Sequence, residues 1–272
     1  MSREINKDTQ LCMSLAGRPG NFGTRFHNYL YQELDLNFIY KAFTTKDIQA
    51  AVGGVRALGI RGCAVSMPFK ESCIPFLDEL DASATAIESV NTIVNDDGFL
   101  RAYNTDYIAI AKLLAKYQIP PTTSFALRGS GGMAKAVTAA LRDAGFKKGY
   151  IIARNPQAGQ ALAAQYGYQW QPEVGDLQVE MVINVTPIGM AGGSEAEQLA
   201  FEPATIKAAK IAFDVVALPA ETPLIRYARE QGLQVVTGAE VIALQALEQF
   251  VLYTGVRPSD EQITRAAAHA RG

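Results

Sequence analysis

Apolar positions follow two rhythms along this chain. Short continuous apolar runs alternate with longer stretches in which apolar residues recur every three or four positions. The first pattern fits buried strands and the second amphipathic helices. Strands are expected at 10–16, 37–43 and 60–66, with helices over 24–36 and 45–58 between them. Gly59 follows the second helix as a stop signal. Pro68 opens a short helix, because proline is tolerated in a first turn, and 77–87 is expected to be helical. Strands at 89–95 and 99–102 flank Asp96-Asp97-Gly98, which reads as a hairpin turn. Alternation closed by a hairpin predicts a mixed α/β sheet.

Asn104-Thr105-Asp106 leads into a helix over 107–117, and Pro120-Pro121 marks a boundary. The chain is organised around the stretch that follows. It reads strand (125–128), glycine turn, helix, strand (150–153). Met133, Ala136, Val137, Ala140, Leu141 and Ala144 share the helical spacing, and Gly145 stands at the helix end. This is half of a mononucleotide-binding βαβ unit. The winding continues with a helix over 157–166, a strand at 180–185 and a Gly-rich loop at 189–194. A strand at 211–216, a helix over 223–231 and a short strand at 233–236 follow. A helix over 240–253 comes next, and Ser259 begins the last one, with Gln262 completing a capping box.

Composition narrows the class. The 272 residues are 49% hydrophobic and 19% charged, enough for one large or two medium domains with a large core. A net charge of −2 gives no nucleic-acid face. No apolar run is long enough to span a membrane, and the polar opening MSREINKDTQ is no signal peptide. Cys12, Cys63 and Cys73 form no CxxC pair, and three cannot all pair. They are expected to be reduced thiols in a cytoplasmic protein. With only His27 and His269, no histidine-based metal site is expected.

The chemistry concentrates in a few places. Gly129, Gly131 and Gly132 let the backbone turn tightly and approach a pyrophosphate, which the following helix N-terminus attracts. A carboxylate at the end of the second strand would hold the ribose 2′-OH of NAD. Here Ala153-Arg154-Asn155 stands instead, and an arginine fork pairs with a 2′-phosphate, which favours NADP. Lys70 falls just after a strand, near a helix N-terminus where a like charge is disfavoured, which suits a catalytic lysine as well as a snorkelling surface one. Asp106 opens another helix, where Asp is also an ordinary cap.

Taken in order, these segments resemble the shikimate dehydrogenase family, including its shikimate/quinate dehydrogenase-like branches, over nearly the whole chain. They are Pro68-Phe69-Lys70-Glu71, Val90-Asn91-Thr92, Asn104-Thr105-Asp106, Gly129-Ser130-Gly131-Gly132, Asn184-Val185-Thr186-Pro187-Ile188-Gly189-Met190, Asp214-Val215-Val216, Thr222-Pro223-Leu224 and Ala243-Leu244-Gln245-Ala246. The resemblance implies two α/β domains: an N-terminal mixed-sheet substrate domain (1–106 with 238–272) and a Rossmann-type NADP-binding domain (107–237). It implies a reversible hydride transfer between NADP and a ring hydroxyl, as in shikimate to 3-dehydroshikimate, within aromatic amino acid biosynthesis. By the same resemblance Lys70 and Asp106 match the catalytic pair, and Ser66, Asn91 and Gln245 match substrate ligands. Gly129, Ser130, Gly131, Gly132 and Met133 match the diphosphate loop, and Arg154 the 2′-phosphate arginine. Thr186, Gly189, Met190 and Val215 match the surroundings of the nicotinamide. A small-molecule substrate is implied, with no nucleic-acid or membrane partner, in a monomer or homodimer.

The departures concern the substrate carboxylate. The family's Ser-x-Ser pair falls at Asn21 and Gly23, its tyrosine at Ala217 and its strand asparagine at Ala64. Losing a hydrogen bond to a charged group costs about 1.5–3 kcal/mol, more than tenfold in affinity per bond. The expectation is a retained redox step with weakened carboxylate recognition, with Asn21 still at the substrate and Arg18 or Arg25 as a replacement clamp. Two alternatives stay open: quinate or another cyclic alcohol as substrate, and an NADP-binding sensor without turnover.

Overall fold

The computed structural model describes residues 4–272, which divide into two units. One runs up to Thr105 and resumes at Ala243–Gly272, and the other is Asp106–Ile242.

The first unit opens with β1 (Gln10–Leu15), α1 (Phe22–Glu33), β2 (Phe38–Phe43), α2 (Ile48–Ala57), β3 (Gly62–Val65) and α3 (Phe69–Ser72). It continues with β4 (Glu79–Leu80), α4 (Ala82–Thr85), β5 (Thr92–Asp96) and β6 (Phe99–Tyr103). Its sheet has the order β2-β1-β3-β5-β6-β4, parallel across β2-β1-β3 and antiparallel across β3-β5-β6, so it is mixed. Side chains alternate across its strands. Cys12 joins Phe26, Leu30, Tyr31 and Tyr40 on one face, whereas Met13 and Leu15 join Val52, Val55 and Cys73 on the other.

The expected helix over 77–87 does not form. Asp78 instead turns its carboxylate onto the Leu100 N–H at 2.7 Å, and β4 pairs with β6 through Glu79 and Leu80. Asp81 then caps the short α4 by accepting the Ser83 N–H. The Asp78 bond and the β4–β6 pairing hold the start of the segment extended, so only Ala82–Thr85 turns helical, behind the Asp81 cap.

Helix α5 (Thr105–Lys116) leads into the second unit: β7 (Phe125–Arg128), α6 (Gly132–Asp143), β8 (Gly149–Ile152), α7 (Pro156–Tyr166), β9 (Gln169–Gln171) and β10 (Met181–Asn184). Next come α8 (Pro203–Ala208), β11 (Ile211–Asp214), α9 (Pro223–Glu230) and β12 (Gln234–Val236), and α10 (Gly238–Thr254) then returns the chain to the first unit. The final helix is α11 (Asp260–Arg271), and its Ser259–Gln262 capping box forms. Neither β9 nor α8 is expected from the pattern. β9 is a three-residue edge strand with two glutamines, and α8 a six-residue helix, both too short for a period to show.

All strands of the second sheet are parallel, in the order β12-β11-β10-β7-β8-β9. Counted from β7, that is the doubly wound order 3-2-1-4-5-6, whose reversal falls between β7 and β10. Ligands of such sheets bind outside the carboxyl ends of the strands at that reversal.

Candidate functional site

The carboxyl ends of β7 and β10 carry the glycine turn and the Val185–Ile188 stretch, and a cavity of about 530 Å³ opens there. Its walls include Gly129, Ser130, Gly131, Arg154, Thr186 and Phe201. The glycines have different reasons. Gly129 has φ +127°, and a Cβ there would sit 2.8 Å from Val185 Cγ2. That position lies where only glycine is comfortable. Gly131 and Gly132 have nothing within 4 Å of an added Cβ. Gly131 stands at the N-cap of α6 without a side-chain cap, so the helix N–H groups face open space. Met133 is half-buried in the first turn of α6.

Arg154 is exposed beyond β8 and lines the cavity. Asn155 beside it accepts the Ala158 N–H at 3.1 Å and caps α7. The loop after β10 is held from within. Thr186 Oγ1 donates to Asn184 Oδ1 at 2.6 Å and accepts the Ile188 N–H at 3.2 Å. Asn184 Nδ2 donates to Ile188 O and to Asp214 Oδ1. Gly189 is buried at φ +85°, Met190 is exposed, and Val215 is half-buried with its N–H bonded to Asn184 O.

Asp214 ties this network to the next helix. Its carboxylate accepts from Asn184, from the Val216 N–H at 3.0 Å and from Thr222 Oγ1 at 2.6 Å. Burial pushes its carboxyl up to about 6, against the opposing pull of those three donors. Asp214 and Thr222 belong to recognised segments, but their role appears only once the two strand ends are adjacent. Arg128, at the last position of β7, joins the site without having been expected there. A charged residue closing an otherwise fully buried strand is the signal that marks it.

In the first unit Lys70 is half-buried on the four-residue α3, too short to carry the dipole field expected of a longer helix. Its carbonyl accepts the Val90 N–H at 2.8 Å, next to Asn91. Asn91 is buried, and its Oδ1 accepts from Thr92 Oγ1 and from both the N–H and the Oγ1 of Thr105. Thr105 Oγ1 also lies 3.4 Å from Gln245 Oε1. Asn91, Thr105 and Gln245 therefore come together, and Lys70 is linked to them through the backbone at Val90. Ser66 is exposed just before α3, and its carbonyl accepts the Phe69 N–H. Asp106 is buried in the first turn of α5 and belongs to the second unit, whereas Lys70 belongs to the first.

Asn21 stands exposed at the N-cap of α1 without capping it. Gly23 follows, and a Cβ there would lie 3.4 Å from the Tyr40 hydroxyl. Arg18 and Arg25 are both exposed; Arg25 Nη1 would lie 3.0 Å from a Cβ on Gly272. Among the described residues no three His, Cys, Asp or Glu cluster as a metal site, and no helix is long and apolar enough to cross a membrane.

A doubly wound sheet with an open glycine turn at its reversal is the architecture of the dinucleotide-binding class. Sequence comparison carries this further. Residues 22–93 match the family model of the shikimate dehydrogenase substrate binding domain. A shikimate dehydrogenase-like protein of Haemophilus influenzae is 65% identical over 267 residues, 98% of each chain. A shikimate dehydrogenase (NADP(+)) of Archaeoglobus fulgidus is 36% identical over 253 residues, 89% of this chain and 91% of that one. The solved shikimate 5-dehydrogenase of Thermus thermophilus, in complex with NADP(H) and shikimate, matches with a TM-score of 0.84 at 28% identity. That match covers 96% of this chain and 100% of the other. The chain belongs to the shikimate dehydrogenase family.

Proposed function

We propose that this protein is an NADP-dependent oxidoreductase that reversibly oxidises a ring hydroxyl of shikimate, or of a closely related cyclic hydroxy acid, with weakened recognition of the carboxylate. The observation that carries the reading is the cavity at the β7/β10 reversal, with Gly129, Ser130 and the open Gly131 at one end and Arg154 on its wall. These residues fit the cofactor: free helix N–H groups suit a diphosphate, and an exposed guanidinium suits a 2′-phosphate.

NADP, when bound, supplies the nicotinamide that exchanges hydride with the substrate carbon. The remaining work falls to this chain. Lys70 takes the hydroxyl proton during oxidation and returns it during reduction, a role that needs a lysine at hydrogen-bond reach of that oxygen. Asp106, the other member of the pair implied by the family resemblance, accepts from a hydroxyl of the substrate. The Oδ1 of Asn91 is already committed to Thr92 and Thr105, which leaves its Nδ2 to donate to a substrate oxygen. Gln245 and Ser66 complete the polar lining.

Exposed Asn21 and the bare Gly23 favour a second reading of specificity: quinate or a non-carboxylate cyclic alcohol in place of shikimate. Initial rates with shikimate and quinate, each with NADP and NAD, on the wild type and Lys70→Ala decide between them. Shikimate turnover with NADP, at high KM and abolished in Lys70→Ala, is the expected result. Tight NADP binding without turnover of either acid would redirect the search to other cyclic alcohols. Turnover surviving in Lys70→Ala would overturn the mechanism.

A further inference from the structure

Arg128 closes β7 with its side chain on the same face as Ala126, which packs with Ile152 and Phe201. It lines the cavity, and its guanidinium carbon lies 5.2 Å from the centroid of the Phe201 ring. Its buried Nε has no hydrogen-bond partner. Across the parallel ladder Arg128 is register partner to Ile152, and Arg154 follows two residues later. Arg154 lies past the end of β8, in the bend before α7, and lines the same cavity as Arg128.

Electrostatics fit this geometry. Burial holds the Arg128 side chain below its usual range, and the charge of Arg154 acts in the same direction. Glu173, Glu202 and Glu195 oppose that by charge alone, without a hydrogen bond to the guanidinium. These three carboxylates balance the two guanidinium charges in the cavity, but the buried Arg128 Nε donor stays unpaired until an acceptor enters. A phosphate monoester carries nearly two negative charges at neutral pH and three acceptor oxygens, which suits two guanidinium forks. Phe201 holds one of those forks by a cation–π contact.

We propose that Arg128 is a second phosphate ligand, sharing with Arg154 the extra phosphate on the adenosine ribose of the dinucleotide. Arg128 thereby helps set the preference for phosphorylated over unphosphorylated cofactor. The proposal rests on the cavity being the NADP site, and it adds a specificity residue on the strand that precedes the glycine turn.

The test is fluorescence titration of NADPH and NADH onto full-length wild type, Arg128→Gln, Arg128→Lys and Arg154→Gln, each first checked by circular dichroism. The expected result is a loss of roughly tenfold or more in NADPH affinity for Arg128→Gln, with NADH changing less than about threefold. Arg128→Lys should fall between, keeping the charge without the fork. The wild-type preference for NADPH should also shrink below about pH 6, where the phosphate takes up a proton. Equal loss of both cofactors, or no loss of either, overturns the role of Arg128 while leaving the NADP site intact. Failure of the wild type to bind either cofactor overturns the functional reading itself. If Arg128→Gln does not fold, Arg128→Lys and the wild-type pH dependence still decide: an unchanged NADPH preference in both sinks the proposal.

Discussion

Thr222 Oγ1 donates to Asp214 Oδ2 at 2.6 Å while accepting the Ile225 N–H at 3.2 Å. One hydroxyl thus caps α9 and holds a buried carboxylate at the end of β11. Its single proton is committed to Asp214, so an amide nitrogen there would meet a donor head on.

Asp214→Asn should therefore loosen the loops around Gly189 and Val215. The pH dependence has a definite sign. With its carboxyl raised to about 6 in the fold, Asp214 contributes stability that is present below about pH 3.8 and lost as pH rises through 6. The stability advantage of wild type over Asp214→Asn should shrink by about 2 kcal/mol between pH 4 and pH 7.5. Paired urea titrations at the two pH values measure it, and a constant difference would refute the account.

The two kinds of glycine should separate cleanly. Gly129→Ala forces a Cβ to 2.8 Å from Val185 Cγ2 at φ +127° and should cost about 1–3 kcal/mol in a thermal or urea melt. Gly131→Ala meets nothing within 4 Å and should fold normally, yet bind NADPH more weakly because the methyl occupies the phosphate approach. Equal melting of both variants would contradict this division.

Restoring hydroxyls should restore substrate affinity. Asn21 is exposed, and Gly23 has room for a side chain at ordinary contact with Tyr40. The double variant Asn21→Ser, Gly23→Ser should lower the KM for shikimate more than tenfold per bond formed. An unchanged KM would mean that the carboxylate binds elsewhere, and Arg18→Ala and Arg25→Ala would then be assayed.

His27 makes the first unit acid-sensitive. Its ring is fully buried and stacks on Tyr40 at 4.5 Å and 5°. Burial pushes it down to about 3, with Gln249 opposing. The unfolded chain takes up a proton near pH 6.5 and the folded one does not, so stability falls as pH drops from 6.5 towards 3. The loss attributable to His27 is about 4–5 kcal/mol over that window. His27→Phe should flatten the acid limb of the stability curve, and an unchanged limb would remove His27 as its cause.

The three thiols should be silent in the native state. Burial pushes Cys12 and Cys73 up to about 12 and Cys63 higher still. At pH 8 the thiolate fraction is tiny and inaccessible. Labelling by iodoacetamide should follow unfolding, reaching three adducts only in denaturant. Fast labelling of any one without denaturant would contradict the buried placement.

Much of this was legible from pattern alone. Parallel strands buried on both faces read as continuous apolar runs, so 125–128 and 211–216 stood out, the second ending two residues earlier in the fold, and Gly129 announced its turn because its φ admits little else. The segment at 77–87 misled because Asp78, Glu79 and Leu80 pair with the distant backbone of β6, which only folding brings near. Thr105 stood in a matching segment without a role of its own, because its partners Asn91 and Gln245 lie 14 and 140 residues away.

The sequence by itself determined the periodicity, the order of strands and helices, the glycine turn and the family, because these depend on residues close together along the chain. Tertiary structure alone decided that Asn184, Asp214 and Thr222 form one hydrogen-bonded tie, and that Arg128 and Arg154 share a cavity. Both depend on the order in which strands lie side by side: β10 beside β11, and β7 beside β8. That order is chosen by burial of whole faces, and no local pattern records which strand ends become neighbours.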